Sequence, residues 1–359
     1  MKAALISLGS TSSKWTIEAM EKHFSSVDAI DLRSIEVKMG SDKAEVLANG
    51  KALPDYDCIF AKGSFRYAQI LRALTSVLGK TSYMPILPYS FSVGHDKLLT
   101  HLALQHFQVP MPNTYLAATP EGGKKILEKI NYPIIFKLPS GTGGKGVMYA
   151  ESYAAANSLL DTLTTLRQPF LIQEYIETNG EDIRVLVAGD KVVAAMKRKA
   201  MDGEKRANTH AGGAVESYTP DAHTKEISIR AAKSLGASLC AVDILEGSKG
   251  PLVVEVNLSP GLQGITEASG VGVADKIAEY LFEQTKKLKD KGTKHGASEL
   301  LKEISRKKDD TTEQQIIAQL DVRGGRLLLP NVITKISDLA DRGECIIKVK
   351  EGQIIIERI

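Results

Sequence analysis

The sequence predicts an α/β (α+β) chain of more than one domain, and three observations carry that prediction. Its 359 residues exceed what a single hydrophobic core usually serves. The first ninety or so residues alternate short apolar runs with stretches of helical apolar spacing, the pattern of a layered unit with a parallel sheet. From about Pro133 the runs become strand-rich, and a charged stretch then sets off a last, small β-rich unit.

Taken in order, KAALISL opens the chain as a strand, residues 9–13 read as a Gly/Ser turn, and 15–23 as a helix. The apolar start is too short for a secretory signal and lacks a small-residue cleavage site. YDCIFA (56–61) is a second strand, followed by a helix around 67–78. Pro85 and Pro88 punctuate the chain before a helix over 95–106 with Asp96 in its first turn. The next block has the strands YPIIFKL, GVMYA, FLIQEYI, DIRVLVAG and KVVAAMKRKA. A helix over 225–235, the strands LCAVDIL and PLVVEVN, and a helix over 273–287 complete it. Residues 286–310 hold nine Lys or Arg and five Asp or Glu with few apolar side chains, as a solvated helix or linker does. Beyond it, ECIIKVKEGQIIIERI reads as a hairpin turning near Glu351 and Gly352.

Composition narrows the function classes. A hydrophobic content of 43% with 25% charged residues is that of an ordinary soluble domain. The net charge of +3 is too small to argue for a nucleic-acid or membrane partner. No apolar run reaches the roughly 18 residues of a membrane span. Cys58, Cys240 and Cys345 lie far apart without metal-site spacing, so reduced structural thiols in the cytoplasm are expected.

Chemistry enters at LVVEVNLSPG (252–261). Glu255 and Asn257 interrupt an apolar strand two residues apart, so they share a face. A buried carboxylate needs something positive beside it. Asp243, in the neighbouring apolar run AVDIL, would complete a set of three hard oxygen donors suited to Mg²⁺, leaving room for phosphate oxygens. The alternative is a pair of structural carboxylates, each neutralised by a Lys or Arg.

A second signal is KLPSGTGGKGV (137–147), with Gly141, Gly143, Gly144 and Gly146. The glycines formally match GxGxxG, but a strand rather than a helix follows, which argues against a dinucleotide site. Lys145 is followed by Gly146, so it is not a Walker loop either. Strand, glycine loop and strand make a hairpin lid that can close on a polyphosphate with backbone N–H groups and Lys145. A plain surface hairpin is the competing interpretation. Lys137, closing the strand before the loop, is a candidate phosphate partner or an ordinary strand-end lysine.

Together these segments resemble the ATP-grasp superfamily and, within it, the RimK-type glutamate ligases. KLPSGTGGKGV, LIQEYI, DIRVLVAGDKVVAAMKRKA, the RAN of KRANTHAGG, VDIL and GPLVVEVNLSPGLQGI occur in family order over roughly residues 1–285. The resemblance implies a Rossmann-like pre-ATP-grasp domain over 1–92, a two-lobed ATP-grasp domain over 93–285, and a charged linker over 286–312. It places Glu174, Tyr175 and Ile176 along the purine, and implies ATP contacts from Lys97, Lys137, Gly143, Gly144, Lys145, Asp182, Arg206 and Asn208. Two Mg²⁺ (or Mn²⁺) would be held by Asp243, Glu255 and Asn257. The implied reaction is ATP-dependent amide formation through an acyl phosphate, with Lys137 and Arg206 offsetting phosphate charge and the glycine lid excluding water. Arg198 is the candidate grip on a substrate carboxylate, against a solvent-facing basic run. The expected substrates are L-glutamate or a related amino acid and an acceptor, either a protein C-terminus, a carrier protein or a small coenzyme.

Two departures stand out. Many RimK-type ligases carry RGG where this chain has Ala211, Gly212 and Gly213, which leaves the acceptor open. Residues 313–359 resemble an AbrB-type swapped-hairpin domain, which such ligases ordinarily lack. Its seven basic and seven acidic side chains balance, so dimerisation within a homo-oligomer is expected there first, docking of a partner or acceptor second, and DNA binding last. The alternative function is an ATP-binding regulatory module, associated with DNA through this tail and without turnover.

Overall fold

The computed structural model describes residues 1–139, 141, 144–200 and 214–294, and four strands beyond them. The chain begins with β1 (Lys2–Ser7), apolar and wholly buried from Ala3 to Ile6, the signature of a central parallel strand. A helix, α1 (Thr11–Glu21), follows at once. The sequence expectation was a turn over 9–13 and a helix from Trp15. Instead Ser10 caps the helix, its side chain accepting from Ser13 N–H, so the serine run is helix start rather than loop. The next elements are β2 (Ser26–Asp31), β3 (Ile35–Met39), β4 (Ala44–Ala48), β5 (Lys51–Ala52) and β6 (Cys58–Ala61). Strands β2, β1 and β6 make a parallel sheet in that order, while β3, β4 and β5 form a separate antiparallel one.

After α2 (Ala68–Leu78) and the short α3 (Ser90–Val93) comes α4 (Lys97–His106). Asp96 is its N-cap, accepting from Leu99 N–H, rather than a first-turn residue. Strand β7 (Thr114–Tyr115), α5 (Pro120–Leu127), β8 (Ile134–Lys137), β9 (Val147–Ala150), α6 (Tyr153–Thr165) and β10 (Leu171–Glu174) build a small lobe. Its sheet runs β7-β10-β8-β9, and Leu127, Ile134, Phe136, Leu160 and Ile172 fill a core of its own.

The large lobe is antiparallel. Strands β11 (Glu181–Ala188), β12 (Lys191–Lys199) and β13 (Ala214–Ser217) precede α7 (Ala222–Ser234), which packs on the sheet. Then come β14 (Leu239–Gly247), β15 (Gly250–Asn257), α8 (Gln263–Ser269) and α9 (Val273–Lys294), in a sheet of order β13-β12-β11-β14-β15. The last helix runs seven residues past the expected 287, into the charged stretch. This lobe shares one continuous core with the N-terminal sheet. Residues 1–293 are one compact unit, stitched by the hydrogen bonds Leu87 N–H to Gly236 O (3.1 Å) and Ser238 N–H to Pro85 O (2.7 Å).

Residues 294–359 form a second unit. In it β16 (Asp321–Arg323) pairs antiparallel with β17 (Arg326–Leu328), and β18 (Cys345–Lys350) with β19 (Gln353–Arg358). The Lys350–Gln353 register puts the connection at the expected residues 351–352. Among the described residues no helix is long and apolar enough to cross a membrane.

Candidate active site

The large-lobe sheet sets charged residues in register across four strands. Asp182 on β11 pairs with Arg198 on β12, Arg184 on β11 with Asp243 on β14, and Asp243 with Glu255 on β15. Residues two apart on a strand share a face, so Asp182 and Arg184 present to the same side. The contacts follow. Arg198 grips Asp182 with two hydrogen bonds, Nε to Oδ1 at 2.5 Å and Nη2 to Oδ2 at 2.6 Å. Its Nη2 also lies 3.1 Å from Asp243 Oδ2. Arg184 holds Asp243 by a second fork, both bonds at 2.7 Å. Asn257 Nδ2 donates to Asp243 Oδ2 at 3.2 Å.

Asp243 and Arg198 are only 5% and 6% exposed, so these charges persist because they are paired. Burial alone would raise the Asp243 pKa, but Arg184 and Arg198 outweigh it and hold it near about 2. Arg198 is therefore neither solvent-facing nor an open grip for substrate: its guanidinium is committed to two carboxylates. Arg184 was not singled out from the sequence. The signal was available, since Asp182 and Arg184 alternate with Ile183 at the head of a strand that is apolar from Val185 onward.

Glu255 differs. It has no ion pair among the described residues, and burial followed by the neighbouring Asp243 pushes its pKa up, against Lys97 and Lys137. A carboxylate raised in this way is what a divalent cation relieves. Two carboxylates and an amide oxygen are the donor class Mg²⁺ takes, and they are adjacent here, so the residues fit the ion. Of the two sequence alternatives, Asp243 shows the arginine-neutralised one, while Glu255 has no ion pair among the described residues.

Lysines face this carboxylate. Lys137 ends β8, where burial pulls its pKa down to about 8, opposed by Glu255 and assisted by Lys97. Lys97 opens α4, its N–H bonded to Pro139 O (2.9 Å) and its Nζ to Gly141 O (3.1 Å), which ties the helix to the glycine loop. The loop is a hairpin: β8 and β9 pair antiparallel, and Leu138 N–H meets Gly146 O at 2.9 Å. Gly146 has φ +77°, and a Cβ there would sit 3.0 Å from Leu138, so both backbone and space select glycine. Lys145 is exposed at the tip beside Gly144.

The linker after β10 lies between the lobes. Glu174 accepts from Asn113 through its N–H and its Nδ2, at 3.3 and 3.0 Å. Tyr175 stands edge-on to Tyr149 with centroids 5.2 Å apart, and Ile176 packs where a Cβ on Gly247 would meet it at 2.7 Å. Behind the linker runs a buried relay the sequence did not reveal. Gln173 Nε2 donates to Thr114 Oγ1 (2.7 Å) and faces His101 Nε2 (2.9 Å), while His101 Nδ1 meets Lys97 O (2.6 Å). With the amide so placed, the imidazole proton sits on Nδ1 and is donated to Lys97 O. Burial lowers the His101 pKa to about 4, despite that bond and with help from Lys137 and Lys97. Gly143, Arg206, Asn208 and residues 211–213 lie outside the described residues.

A small β-lobe with a glycine hairpin, closing on an antiparallel sheet that carries adjacent acidic ligands and facing lysines, defines a nucleotide-dependent ligase of the ATP-grasp class. The RimK-like ATP-grasp domain model matches residues 94–281, over half of the chain. A probable alpha-L-glutamate ligase of Vibrio cholerae is 36% identical over 289 residues, 78% of this chain and 95% of that protein. A probable alpha-L-glutamate ligase 2 of Pseudoalteromonas atlantica is 37% identical over 294 residues, covering 80% and 97%. Among solved structures, the RimK domain ATP-grasp protein of Sphaerobacter thermophilus aligns with a TM-score of 0.60 at 20% identity, over 78% of this chain and 99% of that one. The ATP-grasp ligase PsnB, complexed with minimal precursor, Mg and ADP, aligns at 0.63 and 17% identity, over 79% and 98%. The chain belongs to the RimK-like ATP-grasp family.

Proposed function

We propose that this protein is an ATP-dependent α-L-glutamate ligase, joining the amine of L-glutamate to a carboxylate of a peptide or protein C-terminus. A carrier protein or a small coenzyme is the alternative acceptor. The observation that carries this is Glu255, a carboxylate without a described ion pair, set beside Asp243 and Asn257 and facing Lys97 and Lys137. Relatives named glutamate ligase supply the amino acid, and the peptide precursor in the PsnB complex supports the acceptor class.

In this proposal Glu174, Tyr175 and Ile176 line the purine, and Lys97, Lys137 and Lys145 meet the phosphates with the amides of Gly143 and Gly144. Asp182 and Asn208 complete the nucleotide contacts. Asp243, Glu255 and Asn257 would hold two Mg²⁺ or Mn²⁺, which would supply positive charge to offset that of the phosphates. An acceptor carboxylate oxygen attacks the γ-phosphorus and ADP leaves. The glutamate nitrogen then attacks the acyl carbon, phosphate departs from the tetrahedral intermediate, and the amine loses its proton. Arg206 supports the γ-phosphate and the oxyanion. Arg198 acts on substrate at one remove, by fixing Asp243. The hairpins of residues 313–359 join two chains in a homo-oligomer, and the protein works in the cytoplasm.

The test is phosphate release from Mg-ATP with L-glutamate and host-cell extract, with products weighed by mass spectrometry and Glu255→Gln as the control. A glutamyl mass increment absent from the control supports the assignment. ATP binding without turnover on any amino acid refutes it, and leaves a regulatory nucleotide-binding module.

A further inference from the structure

Two buried polar side chains have no part in the nucleotide contacts proposed above: Gln173 at 2% exposure and His101 at 4%. They meet on a particular face of the small lobe. Opposite residues of an antiparallel pair point to the same side, and neighbours along a strand to opposite sides. Phe136 and Ile172 pair across β8 and β10 and fill the small-lobe core. Lys137 pairs with Leu171, and Ile135 with Gln173, so Gln173 shares with Lys137 the face turned away from that core. An apolar side chain would serve packing there, and a buried amide is tolerated only where its hydrogen bonds are made.

They are made, in an order that the end groups fix. Thr114 Oγ1 donates to Pro112 O at 3.0 Å and accepts from Gln173 Nε2 at 2.7 Å. The same Nε2 meets His101 Nε2 at 2.9 Å, and His101 Nδ1 donates to Lys97 O at 2.6 Å. Carbonyl oxygens stand at both ends and can only accept, so the two inner bonds both draw their protons from Gln173 Nε2. Burial keeps the imidazole neutral, with a pKa of about 4, which leaves it the one proton and one lone pair this order requires.

The chain of bonds ends on a residue gripped from its other side. Lys97 N–H donates to Pro139 O at 2.9 Å and its Nζ to Gly141 O at 3.1 Å, both on the way from β8 into the glycine loop. An ammonium has three donors, so two remain for phosphate oxygens. At the near end, Asn113 O accepts from Glu174 N–H at 2.9 Å while Thr114 holds the amide of Gln173, one residue earlier on β10. A buried set of side chains therefore joins the strand that leads into the purine linker to the first residue of α4.

We infer that Gln173 and His101 are positioning residues that hold Lys97 at the glycine loop, in line with a nucleotide seated on the linker, an inference that rests on the phosphate contact assigned to Lys97 above. They touch no substrate. They act through the backbone of Lys97, so that its ammonium is in place before a triphosphate arrives and binding bears less of the ordering cost.

The experiment measures the affinity of the full chain for a non-hydrolysable ATP analogue with Mg²⁺, by calorimetry, in a cycle of His101→Gln and Lys97→Met. Glutamine keeps an acceptor near Nε2 but loses the donor to Lys97 O, and should weaken the analogue about ten-fold. In the Lys97→Met background the same change should alter affinity by less than about two-fold, because no ammonium remains to be placed. His101→Asn, which keeps a donor near Nδ1, should recover most of the loss. An equal loss in both backgrounds makes His101 a packing residue and overturns the inference, as does no loss in either. Thr114→Val reads the same relay where the His101 variants fail to fold: a loss of about three-fold, again only with Lys97 present, supports it, and unchanged affinity overturns it. Lys97→Met with wild-type affinity overturns the phosphate contact and this inference together, while wild-type turnover of L-glutamate keeps the ligase assignment. A wild type that binds the analogue but turns over no amino acid overturns the assignment, and the cycle still decides the positioning role.

Discussion

The two lobes facing the nucleotide treat charge in opposite ways. On the large lobe, Asp182, Arg198, Asp243 and Arg184 neutralise one another in a buried chain of forked pairs. From the small lobe come Lys137 and, at the tip of the glycine hairpin, Lys145, with no carboxylate of that lobe engaged with them among the described residues. The first arrangement fixes side chains in place before any ligand arrives. The second leaves positive charge that a polyphosphate would complete under the proposed function. Structural and ligand-binding charges can therefore be separated by asking whether the partner lies within the chain.

That comparison predicts different failures. Arg198→Met should leave Asp182 buried without its forked partner, strip Asp243 of one of its two arginines, and cost about 3–5 kcal/mol of stability, read as a lower urea midpoint. Lys137→Met should cost about 100-fold or more in kcat/KM for ATP, while the urea midpoint holds or rises because a buried cation is gone. If Lys137→Met unfolds the protein instead, the contrast between the lobes fails.

His101 on α4, behind the linker between the lobes, gives a pH test. The folded His101 pKa of about 4 lies below the ordinary value. The unfolded chain therefore binds more protons between the two, and the neutral imidazole stabilises the fold above its unfolded pKa. That contribution, on the order of 3 kcal/mol, is lost as pH falls from about 6.5 towards about 4. Urea midpoints across this range should fall for the wild type and fall less for His101→Gln. The smallest expected effect is Gly146→Ala: about 1–2 kcal/mol of left-handed backbone strain at the lid, seen as a raised KM for ATP.

Much of this site was legible because strand alternation is a strict rule. Glu255 and Asn257 in an apolar run announced a shared polar face, and the glycine hairpin declared itself by the strand that follows it. Arg184 was overlooked although it obeys the same alternation, because its partner Asp243 lies 59 residues away and only strand register joins them. Arg198 sits between Lys197 and Lys199 and read as a grip on a substrate carboxylate or as part of a basic surface; its neighbours on either side are more exposed, and Arg198 is the buried one. The relay through His101 and Gln173 could not be read at all, since it depends on how a helix packs against a strand. The serine run before Trp15 misled for a related reason. Serine favours turns in isolation, but here Ser12 is needed inside a helix to grip another part of the chain.

That grip bears on how the enzyme is made. Ser12 Oγ reaches Leu262 N–H and Gln263 Oε1, partners 250 and 251 residues further along the sequence. During synthesis the amino-terminal sheet leaves the ribosome long before the loop that it clasps. A truncated or stalled chain that ends short of Gln263 therefore lacks one side of the clasp.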